Sequence, residues 1–234
     1  MPPGFAAFLA AAVALVASHA VLSTPAVRPL LVRRFGHAGF LALYSAVSLA
    51  ALAAFVWGYR AAEVDLWLYQ PPPALRMVAV AAMPLAVFLV VGRLTTPCGT
   101  PDDPLPPAGV YRVCRFPGSV GVLLWAALHL ANVGFARPVI LFATMAVIAL
   151  VAVVNNERVR RRLARGGGAA HLAETSLVPF AAVAARRQRL AWAEIGWWRL
   201  ALTLAVYLAL LFGHPYVIGV DPLASAFGPW VMFP

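Results

Sequence analysis

Long apolar stretches alternate with short polar ones along most of the chain. Six stretches have the length and composition of a membrane-spanning helix, and they cover roughly residues 5–23, 37–58, 75–94, 118–134, 137–155 and 197–213. A bilayer core about 30 Å thick requires about 20 apolar residues per helix, and a helix satisfies its own backbone hydrogen bonds in lipid. The pattern therefore predicts an all-α integral membrane helical bundle of about six transmembrane helices, in a single domain over residues 1–234.

Arginines are unevenly distributed among the loops between these stretches. The first, third and fifth loops are rich in arginine, and the fifth, residues 156–196, holds eight between Arg158 and Arg189. The second and fourth loops contain only Arg60, Arg76 and Arg137. By the positive-inside rule, the arginine-rich loops are cytoplasmic and both termini lie on the non-cytoplasmic side. In a bacterial cell this corresponds to a multi-pass protein of the inner membrane.

The overall composition also indicates a membrane protein. Hydrophobic residues make up 63% of the chain and charged residues 11%, whereas soluble domains carry about 25% charged residues. The net charge of +10 comes from arginines between apolar stretches, which favours membrane lipid as a partner and argues against nucleic acid. Cys98 and Cys114 form no CxxC or CxxCH motif, so neither structural zinc nor covalent haem is indicated.

Ionisable side chains inside membrane spans are expensive and suggest a functional site. Three of the five histidines lie in or against a predicted span: His19, His129 and His214. On the fourth span, four residues at helical spacing share one face: Gly121, Trp125, His129 and Asn132. Neutral imidazole is a common metal ligand, and haem suits an apolar cavity with two histidines. The alternative is a histidine that bonds a neighbouring backbone carbonyl for packing alone.

The second span contains a smaller polar cluster within one helical turn. Tyr44, Ser45 and Ser48 could form hydrogen bonds between helices or contact a haem propionate. Interhelical hydrogen bonding is the simpler interpretation.

The segment "GVYRVCRFPGSVGVLLWAALHLANVGF", residues 109–135, resembles the block G-x-x-R-x-x-R-H-P…G…W-x-x-x-H…N-G of the NnrU family. That family comprises multi-pass membrane proteins associated with denitrification and includes the plant 15-cis-zeta-carotene isomerase. Further segments resemble the family in the same order: "ASHAVLS", "RRFGHAGFLALYSAVSLAAL", "LWLYQPPPALRMVAVAAM", "TSLVPFAAVAARRQ" and "GHPYVIGV". The matches extend over most of the chain.

The resemblance implies a non-covalent haem b with two histidine axial ligands, and cis–trans isomerisation of a lipophilic polyene as an activity. The ligands correspond to His19 and His129, with His214 as the fallback. We expect five further residues at the cofactor: Trp125, Asn132, Tyr44, Arg112 and Arg115. A homo-oligomer or a respiratory enzyme is a possible partner. Two family histidines are replaced here, by Phe116 and Met77, which puts isomerase activity in doubt more than haem binding.

The same block also resembles membrane methyltransferases of the isoprenylcysteine and phospholipid type, which bind S-adenosylmethionine. Five residues fit that outline: Arg112, Arg115, Pro117, Gly121 and Glu157. In contrast, Phe116 stands in place of the cofactor-contacting histidine and Asn156 in place of one carboxylate. These departures argue against methyl transfer. A third function class, a non-catalytic haem sensor or an assembly factor for a respiratory oxidase, stays open.

Overall fold

The computed structural model describes residues 2–24, 26–63, 66–98, 106–164 and 169–223. Within these residues the regular secondary structure is helical, apart from an isolated antiparallel bridge between Trp67 and Phe135. The elements are α1 (Phe5–Leu22), α2 (Val27–Ala61), α3 (Ala74–Thr95), α4 (Val110–Val113), α5 (Pro117–Leu130), α6 (Ala136–Leu163), α7 (Ala169–Glu174), α8 (Ala181–Ala184), α9 (Trp192–Ile195) and α10 (Trp197–Val217). The predicted all-α class is confirmed.

Five of the helices are long and apolar enough to cross a membrane: α1, α2, α3, α6 and α10. The apolar helix α5 has 14 residues, or about 21 Å at 1.5 Å per residue, and is shorter than the predicted span 118–134. It ends early because the chain turns after Leu130, where the backbone N–H of Asn132 donates to the carbonyl of His129 at 2.8 Å. The fourth apolar stretch therefore does not form a helix of spanning length.

The orientation of the helices in the membrane stays a prediction. Reporter fusions at the C-terminus and near Gly167 should report opposite sides of the membrane. Both positions lie outside the described residues, since the description omits residues 165–168 and 224–234.

Two compact units make up the chain. The first comprises Met1–Gln70 and Val133–Val159. Here α1 packs on α2 through stacked Phe8 and Phe55 rings, whose centroids are 5.2 Å apart. A Cβ at Gly58 would lie 3.0 Å from the Cα of Phe8, so the two helices approach at a position without a side chain. The N-terminal half of α6 covers this aromatic core, which is typical of an apolar helix interface.

The second unit comprises Pro71–Asn132 and Arg160–Pro234. Its helix α3 packs against both α5 and α10. A Cβ at Gly121 of α5 would lie 2.9 Å from the carbonyl oxygen of Ala86 and 3.0 Å from the Cβ of Leu89. Close approach at a small residue is a common way for membrane helices to pack. The Tyr207 hydroxyl of α10 donates to the Val80 carbonyl at 2.9 Å, which fixes α10 against α3.

Candidate functional site

His129 lies in the last turn of α5, where its ring has a fixed orientation. Its Nδ1 is 2.8 Å from the carbonyl oxygen of Trp125, four residues earlier. A carbonyl oxygen only accepts, so Nδ1 carries the proton and the lone pair of the neutral ring is on Nε2. A metal-ligating histidine is usually held by such a bond from its other nitrogen. The Trp125 ring, with its centroid 4.9 Å from that of His129, packs beside the imidazole.

His214 lies near the C-terminal end of α10 and faces His129 within the second unit. The two imidazole centroids are 6.2 Å apart, and the rings are inclined by 25°. His214 repeats the local arrangement of His129, because its Nδ1 is 3.2 Å from the carbonyl oxygen of Leu210. The same reasoning leaves the lone pair of its neutral ring on Nε2.

The distance between the two ring centroids is close to that of two imidazoles that bind one iron. A metal–nitrogen bond is about 2 Å long, and the centre of an imidazole ring lies about 1 Å behind its ligating nitrogen. Two such rings on opposite sides of one metal therefore have centroids about 6 Å apart. A bare metal ion usually requires about four protein ligands, and the described residues contain no group of three or more His, Cys, Asp and Glu side chains able to hold one. Haem requires only axial ligands from the protein. The donor set therefore suits haem better than a bare ion.

Other residues on the predicted face of α5 contribute to helix packing. Gly121 lies against α3, as described above. The Asn132 amide donates to the carbonyls of Leu75 at 3.2 Å and Leu128 at 2.8 Å, so it joins the end of α5 to the start of α3. Trp125 is the predicted cofactor residue that packs directly on His129. On this face of α5, Gly121 and Asn132 therefore contact α3, whereas Trp125 packs on His129, the candidate ligand.

His19 lies in the first unit, in a polar setting. Its Nδ1 is 2.9 Å from the Leu15 carbonyl, and its ring meets that of Tyr44 edge-on at 5.6 Å. A cavity of about 110 Å³ is lined by these two side chains and by Ser23, Ile148, Val151, Ala152, Asn155 and Asn156. Pockets for drug-sized ligands measure about 300–1,000 Å³. The cavity beside His19 is therefore smaller than a pocket for a ligand of that size.

The three histidines divide between the two units. His129 and His214 meet within the second unit, whereas His19 belongs to the first. The His19–His129 pairing that the family resemblance implies stays a prediction.

The two arginines expected at the cofactor bind other parts of the second unit. Arg112 forms a two-pronged ion pair with Glu194, with both N–O distances 2.7 Å, and donates to the Gln188 amide oxygen at 2.6 Å. The Arg112 guanidinium, together with the backbone N–H of Gly109, lowers the pKa of the Glu194 carboxyl. Buried Arg115 donates to the Thr175 hydroxyl at 2.8 Å and to the Leu172 carbonyl at 2.9 Å.

The partners of these arginines were not predicted from the sequence. Glu194 is one of two carboxylates between residues 169 and 199, and such a rare charge in a basic region is a signal for an ion pair. Thr175 and Gln188 gave no such signal. Arg112 and Arg115 together hold the region from Leu172 to Glu194 against the segment that leads into α5.

A comparison with protein families matches residues 7–222 to the family described as NnrU protein. No curated protein and no solved structure matches the chain.

Proposed function

The chain belongs to the NnrU family, and from this premise we propose that it is a membrane haem b protein with His129 and His214 as the axial ligands. The observation that carries the proposal is the pair of facing imidazoles, 6.2 Å apart, each with its Nδ1 bonded to a backbone carbonyl. The absence of a CxxCH motif from the sequence favours non-covalent attachment.

Haem b at this site would supply a redox-active iron inside an apolar surrounding. The chain's own residues orient the ligands: the Trp125 and Leu210 carbonyls accept from the two Nδ1 atoms, which leaves Nε2 as the nitrogen that would bind the iron. The Trp125 ring limits rotation of the His129 imidazole. Hydrogen bonding of this kind raises the basicity of a ligating imidazole and fixes its tautomer.

The resemblance to the carotenoid isomerase implies that a haem site of this kind acts on a lipophilic polyene. Leu210 and Phe212, which precede His214 on α10, are exposed, so an apolar molecule has access to this part of the second unit from the lipid. We propose cis–trans isomerisation of such a molecule, or a haem-dependent role in denitrification, in the inner membrane. For the protein partner, we propose either a second copy of this chain or a respiratory enzyme.

The engagement of the two arginines argues against methyl transfer. A methyltransferase would use Arg112 and Arg115 at S-adenosylmethionine, whereas here Arg112 binds Glu194 and Arg115 binds Thr175. Phe116 cannot donate a hydrogen bond to that cofactor. Calorimetry with S-adenosylmethionine should therefore detect no binding at micromolar concentration, and binding at that concentration would favour methyl transfer.

The experiment that tests the proposal is a haem titration of the detergent-purified protein. We expect about one non-covalent haem per chain and, on reduction, the sharp alpha and beta bands of low-spin bis-imidazole iron. His129→Ala should lose these bands. His37→Ala and His171→Ala are matched controls and should retain them, since neither residue lies at the site. A wild-type protein that takes up no haem would contradict the proposal.

A further inference from the structure

The chain between α6 and α10 contains an ordered surface that the haem site does not involve. We call residues 176–196 the interfacial segment. Its inner side is well fixed: the backbone N–H of Arg115 donates to the Ser176 carbonyl at 2.8 Å, and that of Phe180 to the Val113 carbonyl at 2.9 Å. Ala182 and Ile195 are buried, so the segment is packed on the second unit.

The outer side of the interfacial segment exposes large apolar side chains. Val178 is 67% exposed, Phe180 40% and Trp192 64%. Phe180 adopts a left-handed backbone conformation, with φ of 64°, which is unfavourable for a bulky residue and persists only where the surroundings impose it. The hydrogen bond from its N–H to Val113 helps to impose it. Exposed apolar side chains on a fixed backbone are typical of an interaction surface.

Unopposed positive charge accompanies these apolar side chains. The interfacial segment contains Arg186, Arg187 and Arg189 and a single carboxylate, Glu194, which is bound by Arg112. The Arg186 and Arg189 side chains are exposed. Within the part of the chain that the structure describes, neither guanidinium makes a hydrogen bond or ion pair.

The position of the interfacial segment at a membrane surface follows from the helices on either side. It joins α6 and α10, which are consecutive helices of spanning length. Arg199, in the first turn of α10, donates to the carbonyl of Thr95 at 2.7 Å and to its hydroxyl at 3.0 Å. The last residue of α3 and the first turn of α10 therefore lie at the same level. Residues immediately before α10 therefore lie at one end of two helices of spanning length.

We propose that the interfacial segment is a membrane-surface anchor that binds anionic phospholipid headgroups. Val178, Phe180 and Trp192 insert at the boundary between headgroups and acyl chains, while Arg186 and Arg189 bind lipid phosphates. Aromatic and apolar side chains interleaved with arginines are the composition that suits this boundary, and each arginine near an anionic surface strengthens binding. The combination of exposed apolar groups and unopposed cations, next to a spanning helix, favours lipid over a soluble acidic partner.

Lipid selectivity tests the role of the arginines. The full chain, reconstituted with mixtures of phosphatidylglycerol and phosphatidylcholine, should retain phosphatidylglycerol preferentially after detergent exchange. Arg186→Gln with Arg189→Gln should weaken this preference by about fivefold for each arginine. Arg186→Lys with Arg189→Lys keeps the positive charge at both exposed positions and should leave the preference close to wild type. Equal losses in both double variants would overturn the proposal.

Depth of insertion tests the apolar side chains separately. A spin label on Val178→Cys in a Cys98→Ser background reports the position of this residue in vesicles. Buried Cys114 should not react, because burial raises the pKa of its thiol to about 11. We expect the label at 178 to collide with oxygen more than with a water-soluble nickel complex, and a label on Arg189→Cys to show the reverse. A water-exposed label at position 178 would overturn the proposal and favour a protein partner.

Discussion

His19 in the first unit and His129 in the second have the same local structure and different surroundings. Each ring is fixed by an Nδ1 bond to the carbonyl four residues earlier in its helix. His19 faces a small cavity with Tyr44 and Asn155, whereas His129 faces the imidazole of His214. A histidine in a membrane helix is thus not sufficient to indicate a metal site. A second imidazole nearby, as His214 is for His129, is what distinguishes a candidate ligand.

Overpacking each unit in turn should produce the largest effects. Gly121→Leu places a side chain against Ala86 and Leu89, and Gly58→Leu places one against Phe8. Each should destabilise its unit by about 1–3 kcal/mol, measured as a lower thermal midpoint in detergent. Haem should dissociate readily from the Gly121 variant and remain bound to the Gly58 variant.

Gly213→Ala provides a control for these substitutions. A Cβ at position 213 would meet no atom of the described residues within 4 Å. Replacing a glycine inside a helix then costs nothing and can stabilise by about 0.5–1 kcal/mol. If the Gly58 variant lost haem and the Gly121 variant retained it, the haem site would have to be assigned to the first unit instead of the second.

Removing one asparagine from each unit should have a smaller effect. Asn132→Leu deletes the bonds from α5 to the Leu75 and Leu128 carbonyls, and Asn155→Leu deletes the bond to the Ser23 hydroxyl, at 2.9 Å. Each loss costs about 1 kcal/mol. Because Asn132 fixes the end of α5 next to His129, its loss should weaken haem binding about fivefold in a titration. Greater weakening from Asn155→Leu would count against the second unit as the haem site.

The smallest effect concerns acid stability of the second unit. Arg112 lowers the pKa of Glu194 in the folded chain, so the ion pair stabilises at neutral pH and is lost as the pH falls through the folded pKa, below about 4.3. The side chains are 25% and 36% exposed, which limits the contribution to under about 1 kcal/mol. Thermal midpoints of wild type and Glu194→Gln should differ at pH 7, and the difference should shrink as the pH falls through the folded pKa. If the difference in thermal midpoint did not change with pH, the Arg112–Glu194 ion pair would not be its cause.

Local features of the sequence predicted the helices but not the residue pairs through which the helices contact one another. Apolar length alone located α1, α3 and α10, because a helix in lipid must satisfy its own backbone. After the early end of α5, the Asn132 side chain donates to the carbonyl of Leu75, 57 positions away. The contacts of His129 with His214 and of Arg112 with Glu194 join residues more than 80 positions apart. No periodicity encodes such pairs, since they arise from how helices pack.

The central claim is that the second unit supplies both axial ligands, and spectra of two histidine variants test it most directly. Wild type, His214→Ala and His19→Ala are purified with haem supplied, reduced and compared in the visible range. Loss of one imidazole converts low-spin iron to a five-coordinate or water-bound high-spin form. We predict this conversion in His214→Ala, with sharp low-spin bands retained in His19→Ala. A high-spin spectrum confined to His19→Ala would contradict the account and make His19 the second ligand.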